Sequence, residues 1–145
     1  MTTIYDARLL LVDDNADLLR LLCEQLQDAG YRHIRTARSC AAARACFAAE
    51  QPELMILDEP TNGLDIEATV EVREIILRLA KEKGVTFLVA SHLASEIEKM
   101  CDKVLVLHEG EMLSFDTKEE ALRLHPSLED YFLAKVRDKK GTVIL

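Results

Sequence analysis

Apolar residues follow two alternating rhythms along the chain: short compact runs, and longer stretches in which they recur every three or four positions. Ala7 to Val12, Leu54 to Asp58, Val85 to Ala90 and Val104 to Leu107 are of the first kind, each bounded by turn-forming or charged residues. Such runs predict strands covered on both faces, and Arg32 to Thr36 fits a further strand between helical stretches. Leu18, Leu19, Leu22, Cys23 and Leu26 have helical spacing, begin after the capping sequence Asp13-Asp14-Asn15 and stop at Gly30. Ser39 is placed to cap an alanine-rich helix running to about Glu50. Asp65 caps a helix whose apolar stripe is Val72, Ile75, Ile76 and Leu79, and Gly84 ends it.

Leu93, Ile97, Met100 and Cys101 mark a fourth helix, and Thr117 with Glu120 forms a capping-box pattern for a short fifth one. Pro126 interrupts, and a last helix starts near Ser127 with Leu128, Phe132 and Val136 on its apolar side. Five strands alternating with helices predict an α/β/α sandwich around a five-stranded parallel sheet of order 2-1-3-4-5. That order brings the ends of strands one and three together at a switch point, where such folds bind ligands.

A chain of 145 residues, 49% hydrophobic, is expected to form one domain over residues 1–145. No run approaches the roughly 18 apolar residues of a membrane span, and the N-terminus lacks the parts of a secretion signal. A cytoplasmic protein without a membrane partner is therefore expected. The net charge of -8 argues against nucleic acid as a partner, because a polyanion would be repelled. Cys23, Cys40, Cys46 and Cys101 form no CxxC pair and read as reduced thiols. His33, His108 and His125 are scattered and read as ordinary polar residues. Lys135, Arg137, Lys139 and Lys140 read as a solvated helix end.

The two parts of the chain differ in accent. Residues 1–52 contain no lysine, whereas residues 53–145 contain eight lysines and four arginines. The motifs differ as well. LLLVDDNADLLRLLCEQLQDAGY, followed by a helix leading to QPELMILD, resembles a response-regulator receiver domain over about residues 1–58. That resemblance implies a flavodoxin-like fold, with Asp13 and Asp14 in the place of a magnesium-binding acidic pair and Asp58 in that of the phosphate-accepting aspartate. From about residue 54 to 138 the chain is similar instead to the C-terminal part of an ABC-transporter ATPase domain, through LMILDEPTNGLD, VTFLVASH and CDKVLVLHEGEML. This second resemblance implies that Asp58 is a Walker B aspartate, Glu59 the catalytic carboxylate, Gly63-Leu64-Asp65 the D-loop and His92 the switch histidine. Asp58 is the position the two families share.

ATP hydrolysis needs a cradle for the phosphates, and the chain has no GxxxxGK motif followed by Ser or Thr. The LSGGQ signature is missing too. Glu59 and His92 are thus expected to be inherited residues without catalytic work, and neither enzymatic activity nor nucleotide binding is expected. Three carboxylates at a strand-end crevice repel one another, and a hard divalent cation relieves that repulsion. Asp13, Asp14 and Asp58 are therefore the candidate ligands for a weak magnesium ion, and no other cofactor is expected. Ser91 matches the receiver's hydroxyl position and His108 stands where its lysine would be. The combination is what a designed chimera would show, a folded scaffold made from two fragments. A magnesium-binding phosphoacceptor module and an inactive ATP-binding remnant are the alternatives, and a homodimer through an orphaned apolar surface is a further expectation.

Overall fold

The computed structural model describes residues 2–141, with only the backbone of 140 and 141. The side chain of Lys140, the last member of the basic run, lies outside the described residues. Contacts gather the chain into two compact units, Met1–Ala90 and Ser91–Leu145, and the division falls after the fourth strand rather than at residue 53.

The first unit runs β1 (Arg8–Val12), α1 (Ala16–Asp28), β2 (His33–Ala37), α2 (Cys40–Ala49), β3 (Leu54–Asp58), α3 (Ile66–Lys83) and β4 (Thr86–Ala90). Its sheet is parallel with the order β2-β1-β3-β4. β3 pairs with β1 in the register Leu9↔Leu54 to Val12↔Leu57, and with β4 from Leu54↔Thr86 to Asp58↔Ala90. Leu9, Leu10 and Leu11 are all buried, so β1 is covered on both faces, as its unbroken apolar run requires.

Local signals set the helix ends. Asn15 accepts from the Asp17 and Leu18 amides at 3.0 and 3.1 Å, which satisfies two orphan donors at the start of α1. Asp65 accepts from the Ala68 amide at 2.8 Å at the start of α3. Gly84, at φ 66°, ends α3 in the left-handed conformation that glycine adopts without strain.

The second unit consists of α4 (Ala94–Met100), β5 (Lys103–His108), β6 (Glu111–Thr117), α5 (Lys118–Leu124) and α6 (Leu128–Gly141). Here the expected five-stranded sheet of order 2-1-3-4-5 is corrected: the parallel sheet has four strands, and β5 pairs antiparallel with β6 in a separate two-stranded sheet. The cause is local. Glu109 and Gly110 have φ of 50° and 76°, and two consecutive positive φ values make the tight turn whose twist suits a hairpin. Val104 and Val106 pack with Ala121, Leu128 and Tyr131 into a small core. The Tyr131 hydroxyl donates to the Asp116 carboxylate and lies 2.7 Å from the Ser114 hydroxyl, which satisfies its polar end inside that core. α6 is started by Ser127, whose hydroxyl oxygen accepts from the Asp130 amide at 3.1 Å.

Candidate functional site

The acidic residues sit where the sheet order places a crevice, at the C-terminal ends of β1 and β3. Asp13 follows directly on β1; its backbone amide donates to the Ala37 carbonyl at 3.1 Å, which extends the pairing with β2. Its carboxylate accepts from the Asn15 amide at 2.8 Å, so it helps shape the loop into α1. Asp58 is the last residue of β3. Glu59 follows at φ 48°, a left-handed conformation uncommon for a residue with a side chain, while its amide reaches the Ala90 carbonyl at 2.8 Å. The chain therefore turns sharply where β3 ends.

Electrostatics links the two strand ends. The Asp58 carboxyl is held above its ordinary value of 3.8, first by burial, then by the negative charges of Asp13 and Glu59. Asp14 is exposed, and its backbone carbonyl accepts from the Arg38 guanidinium at 3.3 and 3.4 Å. Among the described residues, no group of three or more His, Cys, Asp or Glu is arranged to hold a metal ion. Asp13, Asp14 and Asp58 are thus not brought together as a three-carboxylate cage. What the fold provides is one proton-hungry carboxylate with two negative neighbours. Magnesium tolerates such a setting, because it commonly keeps several waters and uses only one or two protein carboxylates.

The other residues singled out in the sequence have different positions. Asp65 is occupied as the cap of α3. Ser91 and His92 belong to the second unit, where the Ser91 hydroxyl oxygen accepts from the Leu93 amide at 3.1 Å in the loop before α4. His108 ends β5; its ring meets Phe132 edge-on at 6.4 Å and its Nε2 lies 3.8 Å from Glu109. Arg38 is the residue that sequence reading missed, since the reach of a guanidinium across to a loop 24 positions earlier appears only after folding.

No family model matches the chain. It is 39% identical over 102 residues to the bacitracin transport ATP-binding protein BcrA of Bacillus licheniformis, an alignment covering 70% of this chain and 33% of that protein. It is also 46% identical over 63 residues to the BcrA of Enterococcus faecalis, covering 43% of this chain and 20% of the relative. The chain thus spans a third or less of these curated relatives. Among solved structures, cbiO1 from Clostridium perfringens, part of the ABC transporter complex cbiONQ, superposes with a TM-score of 0.52 and 28% identity over 71% of this chain and 41% of its own. The chemotaxis response regulator CheY4 of Vibrio cholerae is 20% identical with a TM-score of 0.49 over 65% of this chain and 77% of its own. The expectation that the chain stands apart from enzymes is corrected by this kinship: the proteins it resembles in sequence are ABC transporter ATP-binding proteins, a class of ATPases. Among the described residues, no helix is long and apolar enough to cross a membrane.

Proposed function

We propose that the chain is an engineered composite, in which a receiver-like segment (residues 1–53) and an ABC-ATPase-like segment (residues 54–145) share strand β3. Its role is that of a folded scaffold, and the chemistry it keeps is weak magnesium binding at the ends of β1 and β3. Support for two sources comes from the change in lysine use near residue 53 and from the motifs on either side of it. The cation reading rests on one observation: the Asp58 carboxyl is raised, first by its burial and then by the negative charges of Asp13 from one segment and Glu59 from the other. A divalent ion with its waters removes that repulsion, with Asp58 and Asp13 as its protein ligands or hydrogen-bond partners and Asp14 adding charge from the loop. In the receiver-like role, an Asp58 carboxylate oxygen would attack the phosphorus of acetyl phosphate and accept the phosphoryl group, with acetate as the leaving group.

Thermal unfolding with and without magnesium tests this reading. With a dissociation constant near ~1 mM, 10 mM magnesium adds about 1.4 kcal/mol of stability. The expected result is a melting temperature higher by several degrees, a rise lost in Asp58→Asn and reduced in Asp13→Asn, with ATP adding nothing beyond the magnesium it carries. Titration calorimetry showing no magnesium heat at millimolar concentration refutes the cation reading.

A second reading is favoured by the 39% identity to BcrA over 102 residues: the chain carries the Walker B side of an ATP site, with Asp58 for magnesium, Glu59 to orient the attacking water and His92 as the switch histidine. ATP turnover by the pure chain, lost in Glu59→Gln, would establish this reading in place of the first.

A further inference from the structure

The β5–β6 hairpin has two unlike faces. Val104 and Val106 point into the core of the second unit. On the opposite face, Leu105 stands across from Phe115 and Leu107 across from Met112. These four are 39%, 60%, 61% and 65% exposed, in the order Leu105, Phe115, Leu107, Met112. A β-bulge between Val106 and Leu107 makes this possible, because the extra residue turns Leu113 toward the core and brings Met112 onto the outer face beside Phe115. Four large apolar side chains adjoining on one exposed face form a patch of the kind that marks an interaction site.

Charge identifies what fits there. Lys103 begins β5 on the same face, with its ammonium 5.9 Å from the centre of the Phe115 ring. At the other end of the hairpin the turn presents Glu109, 73% exposed along its side chain. Glu111 is held by Lys139 at 2.9 Å, whereas Glu109 has only the longer 3.8 Å approach of the His108 Nε2 among its described ion pairs. The patch is therefore apolar in the middle, cationic at one end and anionic at the other, roughly 20 Å apart at the ordinary rise per residue. Such a surface is complementary to itself. A two-fold axis perpendicular to the strands lays Leu105, Leu107, Met112 and Phe115 of two copies together and sets Lys103 of each against Glu109 of the other. A two-fold axis along the strands would instead oppose like charges.

We propose that this face of the β5–β6 hairpin is a homodimer interface, with a second copy of the chain as its occupant and the Lys103–Glu109 pairs fixing the antiparallel arrangement. The inference is independent of the magnesium reading. Sedimentation velocity of the full chain from ~1 to 200 µM tests it. The expected result is a monomer–dimer equilibrium in that range, with Phe115→Glu raising the dissociation constant at least ~30-fold, as removal of a buried aromatic anchor does. Lys103→Glu should weaken the dimer and the double change Lys103→Glu with Glu109→Lys should restore it, each variant being checked by circular dichroism for an unchanged fold. If Phe115→Glu fails to fold, the charge-swap pair alone decides. A monomer at every concentration, a dimer indifferent to Phe115→Glu, or a charge swap that fails to rescue overturns the proposal.

Discussion

Leu10→Ala separates a shared sheet from two fragments lying side by side. Leu10 is 1% exposed in β1, a strand from the receiver-like segment, and it pairs with Met55 of β3 and Arg35 of β2. Truncating a buried leucine costs about 3 kcal/mol, from lost transfer energy and the cavity left behind. For a unit of this size each kcal/mol lowers the melting temperature by about 4–8 °C, so a drop of about 12–24 °C is expected. The informative readout is hydrogen exchange on the far side of β3. The Thr86 amide donates to the Glu53 carbonyl at 2.9 Å and the Glu59 amide to the Ala90 carbonyl at 2.8 Å. If β1, β3 and β4 unfold together, both amides exchange about 100-fold faster in the variant, the factor that corresponds to 3 kcal/mol. Leu88→Ala is the control: Leu88 is 52% exposed on β4 and should change stability by no more than about 0.5 kcal/mol. Unchanged protection at Thr86 and Glu59 while β1 amides lose theirs refutes a cooperative shared sheet.

Further outcomes are expected at the caps, the acidic crevice and the small core. Asn15→Ala removes two hydrogen bonds at the start of α1 and should cost about 1 kcal/mol in chemical denaturation, with Asn15→Gly costing only a few tenths. Asp58 has a raised folded-state pKa, so the folded chain takes up its proton more readily than the unfolded one, and stability falls as pH rises from 3.8 through that folded value. Asp58→Asn removes this loss: the variant should be more stable at pH 7 by about 0.5 kcal/mol, a small figure because the residue is exposed, and should converge with the parent below pH 3 in a urea titration series. Tyr131→Phe deletes the hydroxyl that bonds Asp116 and should cost about 2 kcal/mol by denaturant titration. Burial and the Asp116 bond raise the Tyr131 pKa above 10, so its stabilising contribution is complete below pH 10 and lost as pH rises through the folded value. The Phe variant should lack that alkaline decline.

The strands that the sequence made legible lie on compact apolar runs: β1 is buried on both faces, whereas β4 leaves one face open, with Leu88 52% exposed. β1, β3 and β4 are unbroken apolar runs, and their parallel order followed from the helices between them. β6 was not legible, for two reasons. Its inward positions include Ser114 and Asp116, whose polarity is balanced only by the distant Tyr131 hydroxyl. Its outward pair, Met112 and Phe115, is three residues apart because of the bulge, which breaks the period of two by which a strand is recognised. Glu109-Gly110 was the available hint, but a Glu-Gly pair is a weaker hairpin signal than Asn-Gly or Asp-Gly. At the candidate site, Asp13 and Asp58 were readable because strand-end positions follow from topology. Their separation from a three-ligand cage was not, since it depends on side-chain directions in two loops.

β3 meets weaker demands as a central strand than as part of a reactive site. A parallel ladder joins backbone to backbone, and its side chains need only be apolar and of suitable volume, so β3 can accept Leu9 to Val12 on one side and Thr86 to Ala90 on the other. A reactive site has stricter needs, because charges from several elements must balance at one point. Asp58 is where this difference becomes measurable. Asp13 reaches it from the end of β1 and Glu59 from the turn after β3, and each adds negative charge to a carboxylate that partial desolvation already raises, although the residue as a whole is exposed. The charges that act on the Asp58 carboxyl are both negative, while Arg38 is directed to the Asp14 carbonyl. The strand pairs on both sides without difficulty, whereas burial and two negative neighbours leave a raised carboxyl at its end, which a divalent cation or the Asp58→Asn change should relieve.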